Sequence, residues 1–330
     1  MAKSPASKKN VASTRPATQA AKRPPGPPNK RPPARASSGR PAGLFTWLAI
    51  GLVVVIVAAL VLIKVLSGTP TTPGKSTWTR TDPTTFAQIT GVPMSVFNKV
   101  GVTSGAVGVT APIPVSGQPP LTEENSAGKT VPEVLYVGAE YCPYCAAQRW
   151  ATIVALSRFG TWSNLGNMTS YAHDVYPSTP TFTFVKAKYK SSYIAFTSVE
   201  EYTNYLNKAK TYYQALQKPT AEQIKLVKKY DNGKYVQGLS SSDGNPIPFM
   251  TFDNKFIVSG ASYSPDLLTN LTRTQIATGL SDSTSPVTDA IIASANYQSA
   301  AICSMDNNMP SNVCTSSGVK AAEDAMGLKK

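Results

Sequence analysis

The sequence is poor in the residues that build histidine-rich metal or proton-transfer sites. Its 330 residues include one histidine and four cysteines. His173 lies in YAHDVY with no identifiable partner, so we expect an exposed loop histidine there. Zinc sites usually combine paired Cys-x-x-Cys motifs, or histidines at ligand spacing. Cys142 and Cys145 have that spacing but Cys303 and Cys314 do not, so we expect no metal ion and no other cofactor.

Acidic residues are absent from the first forty positions, which carry ten of the 32 Lys and Arg residues. The other 22 basic residues stand against 18 acidic ones, which leaves a formal charge of only +4 and implies no folded basic surface. The amino-terminal segment is rich in Pro, Ala and Ser, so residues 1–41 are expected to form a disordered basic tail. Anionic lipid is its expected partner. The alternative for this tail is a nucleic-acid-binding arm. We favour the lipid interpretation and therefore expect no nucleic-acid partner.

Charge is also absent from the run Ala42–Ile63, whose roughly 22 residues would span about 33 Å as a helix. The alternative is a cleaved signal peptide, which has a shorter apolar region and a small-residue cleavage site. We therefore expect one transmembrane anchor helix at residues 42–66, followed by a linker at 67–82. The positive charge before it predicts a single-pass cell-membrane protein with a cytoplasmic amino terminus and an extracytoplasmic carboxy-terminal domain.

The remaining chain reads as one domain at residues 83–318 and a carboxy-terminal tail at 319–330. The sequence order of apolar runs, caps and turns predicts an α/β fold with an inserted helical segment. The predicted elements are a short helix from Pro93, a strand at 133–139, a helix from the Cys142 region to Gly160, strands at 180–189 and 192–200, helices at 201–217 and 219–233, a hairpin at 247–260, a helix opened by Ser264 and Pro265, and a helix from Pro286 towards Cys303.

The stretch EYCPYC places two cysteines where the predicted strand meets the predicted helix. A helix amino terminus stabilises a thiolate, so we expect a lowered pKa and an exposed nucleophilic thiol at Cys142. Cys145, one turn further on, would be the more buried resolving thiol. Glu140 is expected to point to solvent, and Arg149 to be an exposed surface arginine.

Two further groups belong to the predicted site. Tyr141 and Tyr144 flank the cysteines and could line a groove for a peptide, with ordinary partial burial as the alternative. Downstream, NPIPFMTF places Ile247 and Pro248 just before a strand. A proline beside a cysteine pair presents backbone to an incoming peptide. Cis bonds before proline are uncommon in folded proteins, and only the neighbouring cysteine pair raises the expectation of one before Pro248.

These residues carry a family resemblance. A strand, CPYC opening a helix and a distant IPFMTFDNKFIVSGAS resemble the thioredoxin-like superfamily, in particular its bacterial extracytoplasmic disulfide oxidoreductases. EVLYVGAEYCPYCAAQRW with YPSTPTFTFVKAKY is similar to a prokaryotic domain-of-unknown-function family, number 929, over residues 85–315. The resemblance implies a thioredoxin-like fold, with Cys142 as nucleophile, Cys145 as resolving cysteine and Pro248 as cis-proline. Tyr141 replaces the usual tryptophan, and Pro-Tyr between the cysteines leaves the redox potential unassigned.

The sequence favours a membrane-anchored thiol–disulfide oxidoreductase acting on exported proteins with thiols or disulfides, its redox partner unknown. The alternatives are a thioredoxin-like binding or structural module with a plain disulfide, and a metal site formed by all four cysteines. Outside the membrane, Cys303 and Cys314 are expected to form a structural disulfide contributing about 2–4 kcal/mol. Oxidase, reductase and isomerase activity are not distinguished by the sequence.

Overall fold

The computed structural model describes residues 74–102, 108–240 and 244–328. The helices of this part are α1 (Pro83–Thr90), α2 (Met94–Val100), α3 (Pro143–Leu156), α4 (Ala221–Tyr230), α5 (Arg273–Gly279), α6 (Pro286–Met305), α7 (Ser311–Cys314) and α8 (Ser317–Ala325), with a 3₁₀ turn at Pro265–Leu268. The strands are β1 (Thr79–Arg80), β2 (Ile113–Pro114), β3 (Thr122–Glu124), β4 (Thr130–Gly138), β5 (Thr161–Ser163), β6 (Gly166–Thr169), β7 (Pro180–Thr183), β8 (Lys188–Lys190), β9 (Ala195–Glu200), β10 (Tyr202–Leu206), β11 (Tyr213–Ala215), β12 (Phe249–Phe252) and β13 (Phe256–Ser259).

Strand β4 is the centre of the largest sheet. β12 pairs with it antiparallel, with Phe249 opposite Val137, and β9 pairs with it parallel on the other edge, with Val199 opposite Val137. The sheet continues from β12 to β13 and β2, while β3 pairs with the first residues of β4. The predicted strand at 133–139 is confirmed, and its near-continuous apolar sequence reflects burial on both faces.

Helix α3 packs between strand β7 and the long helix α6. All of its residues except Tyr144 are buried. Trp150 donates its indole N–H to the carbonyl oxygen of Pro180 at 2.9 Å, and its ring meets Phe182 edge-on at 4.7 Å. The helix that begins at the cysteine pair is therefore held from several sides, which fixes its amino-terminal end relative to β4.

Several predicted local elements are confirmed. Helix α4 begins with a capping box between Thr220 and Gln223, in which each side chain accepts from the other residue's backbone N–H. The hairpin of β12 and β13 turns at Asp253 and Asn254, which have φ values of 52° and 53°, as a tight two-residue turn requires. The helix predicted from Pro286 is α6.

The helix predicted at 201–217 is wrong, because this segment forms the antiparallel hairpin of β10 and β11. Tyr202 lies opposite Ala215, and Leu206 opposite Tyr213. Aromatic residues favour strands because they pack well on a pleated surface, and here they pack beside the cysteine pair. The inserted segment between α3 and β12 is thus mainly strand, with α4 as its helix, and the expected helical insertion needs this correction.

The folded region extends beyond the expected domain at both ends. Within the predicted linker 67–82, Thr79 and Arg80 form β1 and pair with β6. Within the predicted tail 319–330, helix α8 buries Val319 and Ala322 and packs against α6 and α2. Parts of the predicted linker and of the predicted tail therefore belong to the folded region, through backbone pairing in one case and apolar contact in the other.

The expected single-pass placement in the cell membrane is corrected by the structure. Among the described residues, no helix combines the length and apolar character that crossing a bilayer requires. The longest of them, α6, carries buried polar residues such as Asn296 and Gln298 and packs inside the protein. The predicted tail at 1–41, its lipid partner and the predicted span at 42–66 lie outside the described residues.

Candidate functional site

Cys142 caps the amino terminus of α3. Its Sγ accepts a hydrogen bond from the backbone N–H of Cys145 at 3.3 Å, and its carbonyl oxygen accepts from the N–H of Ala146 at 3.0 Å. Pro143 occupies the first helical position, where a missing N–H is not needed. The helix thus begins around one sulfur and carries the second in its first turn, as the Cys-Pro-Tyr-Cys spacing predicted.

The Ile247–Pro248 peptide lies against this sulfur. Pro248 directly precedes β12, and the cysteines follow β4. Because β12 and β4 are antiparallel neighbours, the start of β12 and the end of β4 lie at the same edge of the sheet. The bond before Pro248 is cis, and the thiol of Cys142 donates to the carbonyl oxygen of Ile247 at 3.6 Å. Residues 105 positions apart in the sequence are thereby brought together.

The expectation of an exposed thiol is wrong. The exposed fraction is 4% for Cys142 and 0% for Cys145. The cover is aromatic: the cysteines belong to a buried cluster with Ala139 and Tyr141, which we call the tyrosine cluster together with the partly buried residues packed against it, Tyr144, Tyr171, Tyr202, Tyr213 and Ile247. Of the groove candidates, Tyr144 and Ile247 are partly exposed, whereas Tyr141 is buried.

Ring stacking holds the tyrosine cluster together. The rings of Tyr141 and Tyr213 are parallel within 3°, with centroids 3.7 Å apart. Tyr202 and Tyr171 meet this stacked pair at their edges, and the N–H of Tyr171 donates to the carbonyl oxygen of Tyr141 at 2.8 Å. The β10–β11 hairpin, formed by a segment whose sequence predicted a helix, supplies Tyr202 and Tyr213 and thus covers the site.

Burial also reverses the expected electrostatics. Removal from water raises the pKa of the Cys142 thiol well above its ordinary value, and the neighbouring Cys145 thiol raises it further. The backbone N–H of Cys145 and the charge of Arg149 act in the opposite direction but are the smaller effects. The predicted lowered pKa of Cys142 is therefore wrong for the covered site, because desolvation outweighs the helix terminus.

Arg149 is fully buried, so its predicted surface position is wrong. Its Nε and Nη2 donate to the two carboxylate oxygens of Glu200 at 2.9 and 2.6 Å. Nη2 also donates to the carbonyl oxygen of Ala139 at 2.7 Å. The bidentate geometry is the strong form of this ion pair, and it links α3 to the end of β9 and to the loop before Cys142.

Glu140 is likewise buried and does not point to solvent. Its Oε1 accepts from the hydroxyls of Ser76 at 2.5 Å and Thr183 at 2.7 Å. Its Oε2 has no hydrogen-bond partner among the described residues. Burial, with the nearby charge of Glu200, raises the pKa of Glu140 to about 7. This carboxyl group therefore changes charge near neutral pH.

Sequence reasoning missed Tyr136, whose buried hydroxyl faces the Cys145 thiol. Within the described part of the chain that hydroxyl has no well-formed hydrogen bond. Its ring lies along β4 over Gly138, where any Cβ would collide with the phenol. The glycine two positions after a large aromatic residue was the available sequence signal.

The other two cysteines form a disulfide. Cys303 near the end of α6 is bonded to Cys314 in α7, with Cα atoms 5.6 Å apart. Cys142 and Cys145 are free thiols. Among residues 74–102, 108–240 and 244–328, no group of three or more His, Cys, Asp or Glu side chains is placed to hold a metal ion. His173 is exposed in a turn, beside the ring of Tyr171.

A sequence profile described as a domain of unknown function, DUF929, matches residues 121–304. The chain belongs to this family. The matched region contains Cys142, Cys145, Ile247, Pro248 and the Arg149–Glu200 ion pair. Neither the curated proteins nor the solved structures contain a match to the chain.

Glu140→Gln should flatten the pH dependence of stability. A carboxyl whose pKa is raised from 4.5 to about 7 on folding costs nothing below pH 4.5, and its cost grows as the pH rises to 7. The variant should therefore gain up to about 3 kcal/mol relative to wild type between pH 5 and pH 8, measured by urea unfolding.

The control for this measurement is Glu222→Gln on the exposed surface of α4, which should follow the wild-type pH profile. The comparison with wild type isolates Glu140 from Glu201, Asp231 and Asp306, whose pKa values burial also raises to about 7. Parallel profiles for wild type and Glu140→Gln would show that the buried carboxyl does not titrate in this range.

Tyr213→Ala should make Cys142 more accessible. The stacked Tyr141–Tyr213 pair is worth about 0.5–1.5 kcal/mol, so its loss should raise the alkylation rate of Cys142 roughly 2- to 10-fold at constant pH. Mass spectrometry of iodoacetamide-treated protein measures the rate at each cysteine. Tyr235→Ala, at a partly buried tyrosine in another cluster, is the matched control and should leave the rate unchanged. An unchanged rate in Tyr213→Ala would mean that the hairpin does not limit access.

Proposed function

We propose that this protein is a thiol–disulfide oxidoreductase with a thioredoxin-like fold. The observation that carries the proposal is the contact of the Cys142 sulfur with the carbonyl oxygen of Ile247, 3.6 Å away and directly before Pro248. A peptide that pairs with backbone at Ile247 would be held beside this sulfur. Cys145, three residues further on, is placed to complete an exchange.

The arrangement of the elements also supports the thioredoxin-like fold. A central strand leads directly into the cysteine-bearing helix, a parallel strand lies on one side, and an antiparallel hairpin preceded by proline lies on the other. The central strand, the cysteine-bearing helix and the proline-led hairpin are the parts by which the sequence resembles that superfamily.

The proposed reaction is a two-electron exchange in two steps. The Cys142 thiolate attacks one sulfur of a substrate disulfide; a Cys142–substrate disulfide forms, and the other substrate sulfur leaves as a thiolate that takes up a proton. Cys145 then loses its proton and attacks the Cys142 sulfur. The second substrate thiolate leaves, the Cys142–Cys145 disulfide remains, and the substrate is reduced by two electrons.

The reverse sequence would oxidise a substrate dithiol. The direction depends on the reduction potential, which ranges from about −270 to about −120 mV among proteins with this chemistry. We propose proteins with accessible thiols or disulfides as substrates, contacted by Tyr144 and Ile247, which are partly exposed beside the sulfurs. The exchange uses the chain's own sulfurs and needs no cofactor.

A second function is favoured by the burial of the pair. Because both sulfurs are covered and burial raises the pKa of Cys142, the domain could be a binding module in which the two free cysteines pack as small apolar residues. In that case exchange with external thiols should be absent even when the cover is loosened, so the two functions predict different chemistry.

The decisive experiment compares Cys145→Ser with Cys142→Ser in the full-length protein. The first variant keeps the proposed nucleophile and lacks the resolving thiol, so a peptide containing a disulfide should accumulate as a mixed disulfide at Cys142. The second should trap no peptide and should lose insulin reduction. Peptide mass mapping identifies the trapped cysteine.

Redox titration supplies the second measurement. Wild-type protein equilibrated with mixtures of oxidised and reduced dithiothreitol should form a reversible Cys142–Cys145 disulfide, with Cys303–Cys314 unchanged as an internal reference. Equal trapping by both serine variants would refute Cys142 as the specific nucleophile. No trapping by either variant, together with no reversible disulfide in wild type and in Tyr213→Ala, would favour the binding module.

A further inference from the structure

A cavity lies away from the cysteine pair, at the carboxy-terminal end of α3. Its volume is about 210 Å³, below the usual size of sites for drug-sized ligands. Arg158, two residues after the end of α3, contributes the cation to this cavity. The apolar part of the wall consists of Val92, Met94, Phe97, Val154 and Val313. None of these residues belongs to the tyrosine cluster.

All hydrogen-bond acceptors around Arg158 are neutral. Nη1 donates to Asn296 Oδ1 at 3.1 Å and to Ser299 Oγ at 2.9 Å. Nη2 donates to Ser316 Oγ at 3.0 Å and to the thioether sulfur of Met94 at 3.3 Å. Nε is buried and has no acceptor within the part of the chain that the structure describes.

The guanidinium therefore holds an uncompensated charge. The described residues offer it no carboxylate, whereas Arg149 on the same helix is neutralised by Glu200. The Phe97 ring, 4.2 Å from Cζ, offers a cation–π contact, which is weaker than an ion pair. Burial without a counter-charge lowers the pKa of Arg158, which reflects the cost of this arrangement.

One edge of the guanidinium is poorly satisfied. Nε and Nη2 form the fork that arginine uses for bidentate binding of carboxylates, and here the fork has only a thioether and the Ser316 hydroxyl as partners. Sulfur of methionine is a weak acceptor, and the Met94 side chain is flexible. Met94 also lines the cavity, so a ligand entering there can displace its sulfur.

We propose that this cavity binds a small organic carboxylate, whose carboxylate group replaces the Met94 thioether at the Nε–Nη2 edge of Arg158. A short aliphatic chain of the ligand would contact Val92, Val154 and Val313. The apolar wall favours such a ligand over inorganic phosphate, which would leave these side chains without complementary contact. The site is independent of the redox function proposed above.

The test uses butyrate as the carboxylate probe and butyramide as its neutral counterpart of similar size, with the full-length protein. Butyrate at millimolar concentration should raise the thermal midpoint and give a saturable calorimetric isotherm, since a ligand that binds only the folded state stabilises it. Butyramide should do neither, and inorganic phosphate should bind at least tenfold more weakly. Equal binding of butyramide or of phosphate would overturn the proposal.

Variants separate charge from shape. Arg158→Gln should abolish butyrate binding, and Met94→Leu, which removes only the thioether, should retain or strengthen it. Since Arg158 joins several helices, its loss could unfold the protein. Val92→Phe, at a partly buried position of the wall, should then block butyrate while Arg158 keeps its charge. Undiminished butyrate binding in Val92→Phe or Arg158→Gln would place the ligand elsewhere and refute this site.

Discussion

The buried ion pair between Arg149 and Glu200 is the interaction on which the candidate site depends. The guanidinium of Arg149 joins three parts of the chain: helix α3, which carries it, the end of strand β9 at Glu200, and the loop after β4, whose Ala139 carbonyl oxygen accepts a hydrogen bond from it. Ala139 and Arg149 bracket the segment that contains both cysteines, so both ends of this segment are held by one guanidinium. Removing one charge would leave the other buried without a partner, which typically costs about 3–5 kcal/mol. The position of the Cys142 sulfur is therefore set by a charge pair in the core and not by the Cys-x-x-Cys loop alone.

The same core creates a conflict between stability and reactivity. A helix amino terminus favours a thiolate, but the tyrosine cluster excludes water from Cys142, and desolvation is the larger effect. An exchange reaction needs an uncovered sulfur, because a thiolate must approach the bond that it attacks. The cover comes from the β10–β11 hairpin, whose strand β11 is three residues long and whose pairing is irregular between Tyr202 and Leu206. Short, irregular pairs open at a lower free-energy cost than core strands, so the proposed exchange would require movement of the β10–β11 hairpin.

The sequence predicted what is encoded locally. The CPYC segment, the Thr220 capping box and the Asp253–Asn254 turn each depend on a few neighbouring residues, and all three lie where the pattern put them. Glu140 and Arg149 were misplaced because their burial depends on Ser76, Thr183 and Glu200, which are distant in sequence and carry no periodic signal. The segment 201–217 was misread because its lysines and alanine suit a helix, whereas its tyrosines are needed as strand residues over the cysteines. Here tertiary contacts overrode local preference.

The two arginines of the α3 region differ in how their charge is satisfied. Arg149 lies in the middle of the helix, where the carboxylate of Glu200 neutralises its charge in a bidentate pair. Arg158 lies just beyond the helix, where hydroxyls, an amide and a thioether solvate the charge without neutralising it. A charge that is only solvated retains the capacity to gain free energy from an anion, because the desolvation of the cation has already been paid for by folding. That difference is why the proposed carboxylate site is at Arg158 and not at Arg149, and it rests on the partners of each guanidinium and not on burial alone.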